Sequence, residues 1–186
     1  MDTDGITWPS PWGEGRPGWH IECSAMSIKY LGEEFDIHGG GLDLKFPHHE
    51  NEIAQAECAT ERNFASLWMH TGPLRIEDKK MSKSLKNFIT VKDILKDFHP
   101  EVLRLFFLLT HYGSPISYSK EGLENAKRVL DKFYTLFSDI KTPRKFNEDK
   151  TFREEFISAF QDDFNSPKAL SLSLIHISEP TRLESI

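Results

Sequence analysis

The chain has 186 residues, 38% hydrophobic and 12% aromatic with 14 phenylalanines, enough apolar material for a core and too much for wholesale disorder. A formal net charge of −6 argues against a general nucleic-acid binder and leaves phosphate contact to a local basic patch. Two cysteines, Cys23 and Cys58, with no CxxC spacing give no disulfide framework of the secreted type, so a reducing, cytoplasmic setting is expected.

The opening "MDTDGITWPSPWGEGRPG" has no apolar run, so it reads as neither signal peptide nor membrane span; its Pro, Gly and Trp suit an irregular loop. "IECSAMSIKYLG" (21–32) has helical spacing and stops at Gly32. "EFDIHGGG" (34–41) predicts a strand running into a loop. Pro47 suits the first turn of a helix through "HHENEIAQAECATE", and "SLWMHTG" (66–72) predicts a second strand. Helix, strand, helix, strand over 19–72 points to a parallel α/β sheet.

From "TVKD" (90–93), which resembles a capping box with Asp in the acidic position, the pattern turns helical. "HPEVLRLFFLLTH" (99–111) is apolar almost all round and is expected to be buried. Over 119–140, Leu123, Ala126, Leu130, Phe133, Phe137 and Ile140 recur at gaps of three and four, one packing stripe. Phe152, Phe156, Phe160 and Phe164 repeat the theme beyond a polar linker at 141–150, so the second half reads as a helical bundle.

Three stretches carry chemistry. In "FPHHENE" (46–52), His48 and Glu52 are four apart and share a helix face. A ring nitrogen and a carboxylate there make half of a zinc site, to which Cys23 could add a thiolate. The bland reading is a solvated helix start, acids being favoured by the macrodipole, and the stretch alone favours it. On either reading His49 and Glu50 are expected to face solvent. In "DIHGGGLDL" (36–44), three glycines after a strand let a ligand approach the backbone, and Asp43 could bond a ribose hydroxyl; the alternative is a flexible turn. In "KKMSKSLKN" (79–87), lysines at 79, 80, 83 and 86 with interleaved serines could wrap a polyphosphate, or form a solvated basic loop.

"KMSKS" (80–84) is similar to the second signature of class I aminoacyl-tRNA synthetases. "GRPGWHIECSAM", "FDIHGGGLDLKFPHHENEIAQAEC" and "WMHTG" resemble the cysteinyl-tRNA synthetase family, from about Trp12 to Leu170. The resemblance implies an α/β fold followed by an all-α part: the second half of a Rossmann-like class I synthetase catalytic domain, then a helical bundle. It implies boundaries at 1–72 for the half-domain, 73–118 for the KMSKS loop and connecting helices, and 119–170 for the bundle. It also implies a zinc ion that recognises cysteine by its thiolate, on Cys23, His48 and Glu52, which reverses the bland reading of "FPHHENE". Trp19 and His38 become walls of the amino-acid pocket. Gly39, Gly40, Gly41 and Asp43 become contacts of ATP, and Lys80 and Lys83 the catalytic phosphate lysines, with Lys83 the stronger ATP contact. The implied activity is ATP-dependent activation of cysteine and its transfer to tRNA(Cys), with Mg2+ on the ATP and no membrane partner.

The family's catalytic domain opens with a further zinc cysteine and a His-Ile-Gly-His signature, and neither motif is in this sequence. Residues 171–186, "SLSLIHISEPTRLESI", do not fit the family and are expected to be foreign. Two rival readings stand beside the ligase: a cysteine ligase of mycothiol synthesis, which resembles the family in its zinc and KMSKS elements, and a non-catalytic fragment acting as a binding module.

Overall fold

A computed structural model describes residues 7–76, 79–80, 88–139 and 149–178, with backbone alone at 79–80, 139 and 176–178. Two units divide at residue 71, Met1–Thr71 and Gly72–Ile186.

The first unit starts with a hairpin of β1 (Trp8–Ser10) and β2 (Gly13–Gly15), antiparallel, with Ser10 opposite Gly13. Helix α1 (Trp19–Leu31) has Glu22 in its first turn and Lys29 in its last, matching the macrodipole at both ends. It ends at Gly32, whose φ of 100° a side chain would resist and whose N–H donates to the Ile28 carbonyl. Strand β3 (Phe35–Gly41) leads through a 3₁₀ turn (Leu42–Leu44) and a helical segment (Lys45–His49) into α2 (Glu50–Thr60). Strand β4 (Ala65–Thr71) then returns parallel to β3, with His38 opposite Trp68 and Gly40 opposite His70. This is a β–α–β unit, as the alternation in the sequence predicts.

The helix start falls where Pro47 predicts it: Phe46 (φ −134°, ψ 134°) is extended just before the proline, it is the one non-helical residue of the Lys45–His49 segment, and His49 (φ −66°, ψ −36°) leads straight into α2. The two helices approach closely because Ser24 and Ala56, both small, are buried. Ser24 Oγ also donates to the His20 carbonyl at 3.0 Å, and it lies 3.4 Å from the Glu52 carbonyl. Phe64, fully buried, fills the space below β3 by stacking edge-on to Phe35.

The second unit carries a three-stranded sheet in the order β6–β5–β7. Strand β5 (Leu74–Ile76) pairs antiparallel with β6 (Lys79–Lys80) and parallel with β7 (Ile116–Tyr118). The helices are α3 (Val91–Ile94), α4 (Pro100–Leu108), α5 (Lys120–Asp139), α6 (Lys150–Gln161) and α7 (Ser166–Ser178). Thr90 caps α3 by accepting the Asp93 N–H, as "TVKD" predicts. The core lies between α4 and α5: Val102, Leu103, Phe106, Leu123 and Ala126 are buried together, with Ile94, Leu130 and Tyr118 packed around them. At about 1.5–3 kcal/mol for each large side chain removed from water, this cluster is the main apolar anchor of the unit.

The stripes are narrower than the sequence predicts. On α4, Phe107 and Leu108 are exposed, so one face is wet. On α5, Leu123 and Ala126 are fully buried but Phe137 is exposed. On α6 the phenylalanines form a row of ring contacts, Phe152 to Phe156 to Phe160, while the buried residue is Ala159. Phe164 lies past the helix end with φ 52°. Ile140 and residues 141–148 of the expected linker lie outside the described residues. Of the expected foreign tail, residues 171–178 continue α7 and the rest lies outside the described residues. Among the described residues no helix is long and apolar enough to cross a membrane.

Candidate metal centre

Two helices and one strand of the first unit converge on a single carboxylate. Glu52 sits in the first turn of α2, only 1% exposed. From α1, Trp19 at the first position and Cys23 one turn later face it. From the segment before α2 comes His48, and from β3 comes His38. The ligand atoms of Cys23, His48 and Glu52 all lie within 4.8 Å of one another. His48 Nε2 is 2.6 Å from Glu52 Oε1, and His38 Nε2 is 3.1 Å from Oε2. Yet neither buried carboxylate oxygen meets hydrogen-bond geometry with any group among the described residues.

By distance these contacts are ion pairs, but protonation does not follow. Burial alone pushes the Glu52 carboxyl up to about 7. Burial, then His20, pushes His48 below its ordinary value; burial, then His48 and His70, does the same to His38. Every group is driven toward its neutral form, so the cluster holds acceptors and no cation of its own. The position of Glu52 in the first turn of α2 gives about 0.3–1 kcal/mol in favour of the anion. A carboxyl moved from 4.5 to about 7 carries about 3 kcal/mol the other way, so desolvation wins. Neutral imidazoles expose the lone pair a metal needs, and a buried carboxylate without a partner gains one from a divalent ion. Cys23 completes the set. Its thiol is raised by burial, then by Glu52, with Trp19 donating a hydrogen bond that opposes the rise. A thiolate, an imidazole and a carboxylate make a donor set that zinc accepts. The residues present therefore fit a zinc ion.

Of the sequence-predicted pocket walls, Trp19 packs on His48 with ring centroids 4.2 Å apart, and His38 packs on Trp68 at 4.5 Å. Both line the cluster. Gly39, Gly40 and Gly41 form the last residues of β3, and Asp43 lies in the 3₁₀ turn. The Asp43 carboxylate occupies the space a β-carbon on Gly41 would need, so position 41 admits only glycine with Asp43 as it stands. Of the two lysines, Lys80 is described as backbone in β6, and Lys83 lies outside the described residues.

The expectation that His49 faces solvent is wrong: it is 3% exposed, whereas Glu50 is exposed as expected. Both imidazoles turn inward although they are adjacent, because the ring of His49 finds space over Gly40 and a partner in His70. His49 Nδ1 shares a hydrogen bond with His70 Nε2 at 2.8 Å, and its ring packs on Trp68. Burial, then His38, His70 and His48, brings His49 down to about 4. Gly40 makes room for it, since a β-carbon there would lie 2.6 Å from His49 Cε1 and 2.8 Å from Nε2. Sequence reasoning also missed His70 and Trp68. Their period-two spacing on β4 was the available signal, as it puts both on the face that His38 and Gly40 share.

The first unit is thus a parallel β–α–β unit whose glycine-ended strand lies beside a cysteine–histidine–glutamate cluster. Residues 1–128 match the family described as tRNA synthetases class I (C) catalytic domain, and the chain belongs to that family. It is 56% identical over 167 residues to the cysteine–tRNA ligase of Legionella pneumophila (strain Corby), covering 89% of this chain and 37% of that protein. It is 54% identical over 177 residues to the cysteine–tRNA ligase of Alkalilimnicola ehrlichii, covering 95% and 38%. The chain thus spans a little over a third of the length of these relatives. In fold it is similar to the LeuRS of the Agrobacterium radiobacter K84 agnB2 LeuRS–tRNA–LeuAMS ternary complex. The TM-score is 0.66 at 15% identity, over 95% of this chain and 30% of that one.

Proposed function

We propose that the chain is part of a cysteine–tRNA ligase that selects cysteine through a zinc ion held by Cys23, His48 and Glu52. The observation that carries this reading is the convergence of these three ligand atoms within 4.8 Å around a buried carboxylate. Zinc would supply a soft Lewis acid that prefers a thiolate to the hydroxyl of serine. On this reading the chain forms the second half of a Rossmann-like catalytic domain followed by a helical bundle. The four segments keep the boundaries expected from the sequence, with 171–186 unassigned.

The other roles follow. Trp19 and His38 bound the amino-acid pocket. Gly39, Gly40 and Gly41 let the adenosine of ATP approach the backbone, and Asp43 accepts a hydrogen bond from the ribose. Lys80 and Lys83 offer ammonium groups to the phosphates, where Mg2+ accompanies the ATP. The cysteine carboxylate attacks the α-phosphorus and pyrophosphate leaves. A terminal ribose hydroxyl of tRNA(Cys) then attacks the carbonyl of the adenylate and AMP leaves. No side chain forms a covalent intermediate, so positioning and charge stabilisation carry the rate. The compartment is cytoplasmic on this reading.

Calorimetric titration of the zinc-loaded chain with L-cysteine and L-serine tests the selection step. Cysteine binds, serine does not, and His48→Ala abolishes the difference. Equal binding of the two amino acids, or cysteine binding that survives zinc removal, would overturn the reading.

A further inference from the structure

We propose a second divalent-cation site in the first unit, formed by His38, His49 and Glu52 beside the Cys23–His48–Glu52 set. One ligand atom from each of these three residues lies within 4.8 Å of the other two. The two sets share only Glu52, and its oxygens divide between them. Oε1 faces His48 at 2.6 Å, and Oε2 faces His38 at 3.1 Å. Both oxygens are buried and neither meets hydrogen-bond geometry, so both keep acceptor capacity. A carboxylate that presents its two oxygens to two separate ligand groups has the arrangement of a bridging ligand, as in sites that hold two metal ions about 3.5–4 Å apart.

The second set is also held in place. Trp68 packs on His38 at 4.5 Å and on His49 at 5.1 Å, and His70 fixes the His49 ring through its Nδ1 at 2.8 Å. Such supporting contacts orient imidazole ligands before the ion arrives. The chemistry of the two positions differs. The first offers sulfur, nitrogen and oxygen; the second offers two imidazoles and a carboxylate, a set that takes zinc, cobalt or nickel without a thiolate. The second ion shares its only anion with the first and is repelled by it, so it binds more weakly. This site shares Glu52 and His38 with the ligase reading, but its test reads ion count and ligand type and not the choice of amino acid.

Equilibrium dialysis of the 186-residue chain against cobalt(II), with absorption and circular-dichroism spectra, tests it. The expected result is two cobalt ions per chain at saturation, one of them with a thiolate-to-cobalt charge-transfer band. Cys23→Ser loses that band and keeps one ion. His49→Ala keeps the band and loses one ion. His38→Ala gives the same result as His49→Ala and replaces it if that variant fails to fold. Fewer than two ions at saturation, or a second ion that survives both histidine substitutions, overturns the proposal. Failure of the cysteine titration above would leave this count untouched.

Discussion

Glu52→Gln should make the metal-free chain more stable at pH 8, although it removes the charge around which the centre is built. The carboxyl has a folded value of about 7 against an ordinary 4.5. The folded chain therefore binds this proton more tightly than the unfolded chain does. The group's contribution is fully present below pH 4.5 and is lost as pH rises to about 7. At 1.36 kcal/mol per pH unit the loss reaches about 3 kcal/mol. The lowered histidines run the other way, losing stability as pH falls through 6.5, and at pH 8 they are neutral in both states. Measuring at pH 8 isolates Glu52. Glutamine keeps the volume and carries no charge to desolvate. With roughly 2–4 °C per kcal/mol for a chain of this size, the variant should melt about 6–12 °C higher in chelator. Thermal unfolding followed by circular dichroism reads the shift, and a second pair of scans near pH 4 should show little difference. Zinc should then raise the melting temperature of the parent and not of the variant. Equal or lower melting of Glu52→Gln at pH 8 would refute the argument, because it would mean the anion is solvated or paired in the folded chain.

Three further outcomes are expected. Zinc must displace protons from Glu52 and Cys23, so its apparent affinity should climb about tenfold per pH unit or more between pH 6 and 7, read by competition with a chromophoric chelator. Leu123→Ala opens a cavity in the fully buried position between α4 and α5 and should cost about 2–5 kcal/mol in denaturant unfolding, with metal content unchanged because the substitution lies in the second unit and the cluster in the first. Cys58 is exposed and should react with iodoacetamide before Cys23, whose thiol is held up by burial and by Glu52; zinc should slow Cys23 further, as mass spectrometry of the labelled chain would show.

Elements with long, regular patterns were readable from the sequence. The glycine stop at residue 32, the four-residue spacing of His48 and Glu52, and the Thr90 cap each rest on local rules, and each is found in the fold. Strands β5, β6 and β7 were not readable, because two or three residues are too few for an alternation to show. His49 was misread for a different reason. Its burial depends on the space left by Gly40 and on His70 as a partner, and neither leaves a periodic trace. The exposed ends of the α4 and α5 stripes show the same limit. Periodicity marks the face a helix could bury, and the partner's length decides how much of it is covered.

The meeting of Gly40 and His49 has a consequence for how this sequence can change. A single methyl at 40 and the imidazole at 49 claim the same few ångströms. The two positions therefore behave as one heritable unit of volume. A lineage that gains a side chain at the glycine must first shrink or lose the ring, and one that keeps the ring has no neutral path away from glycine. Each residue, inconspicuous alone, closes the other's options.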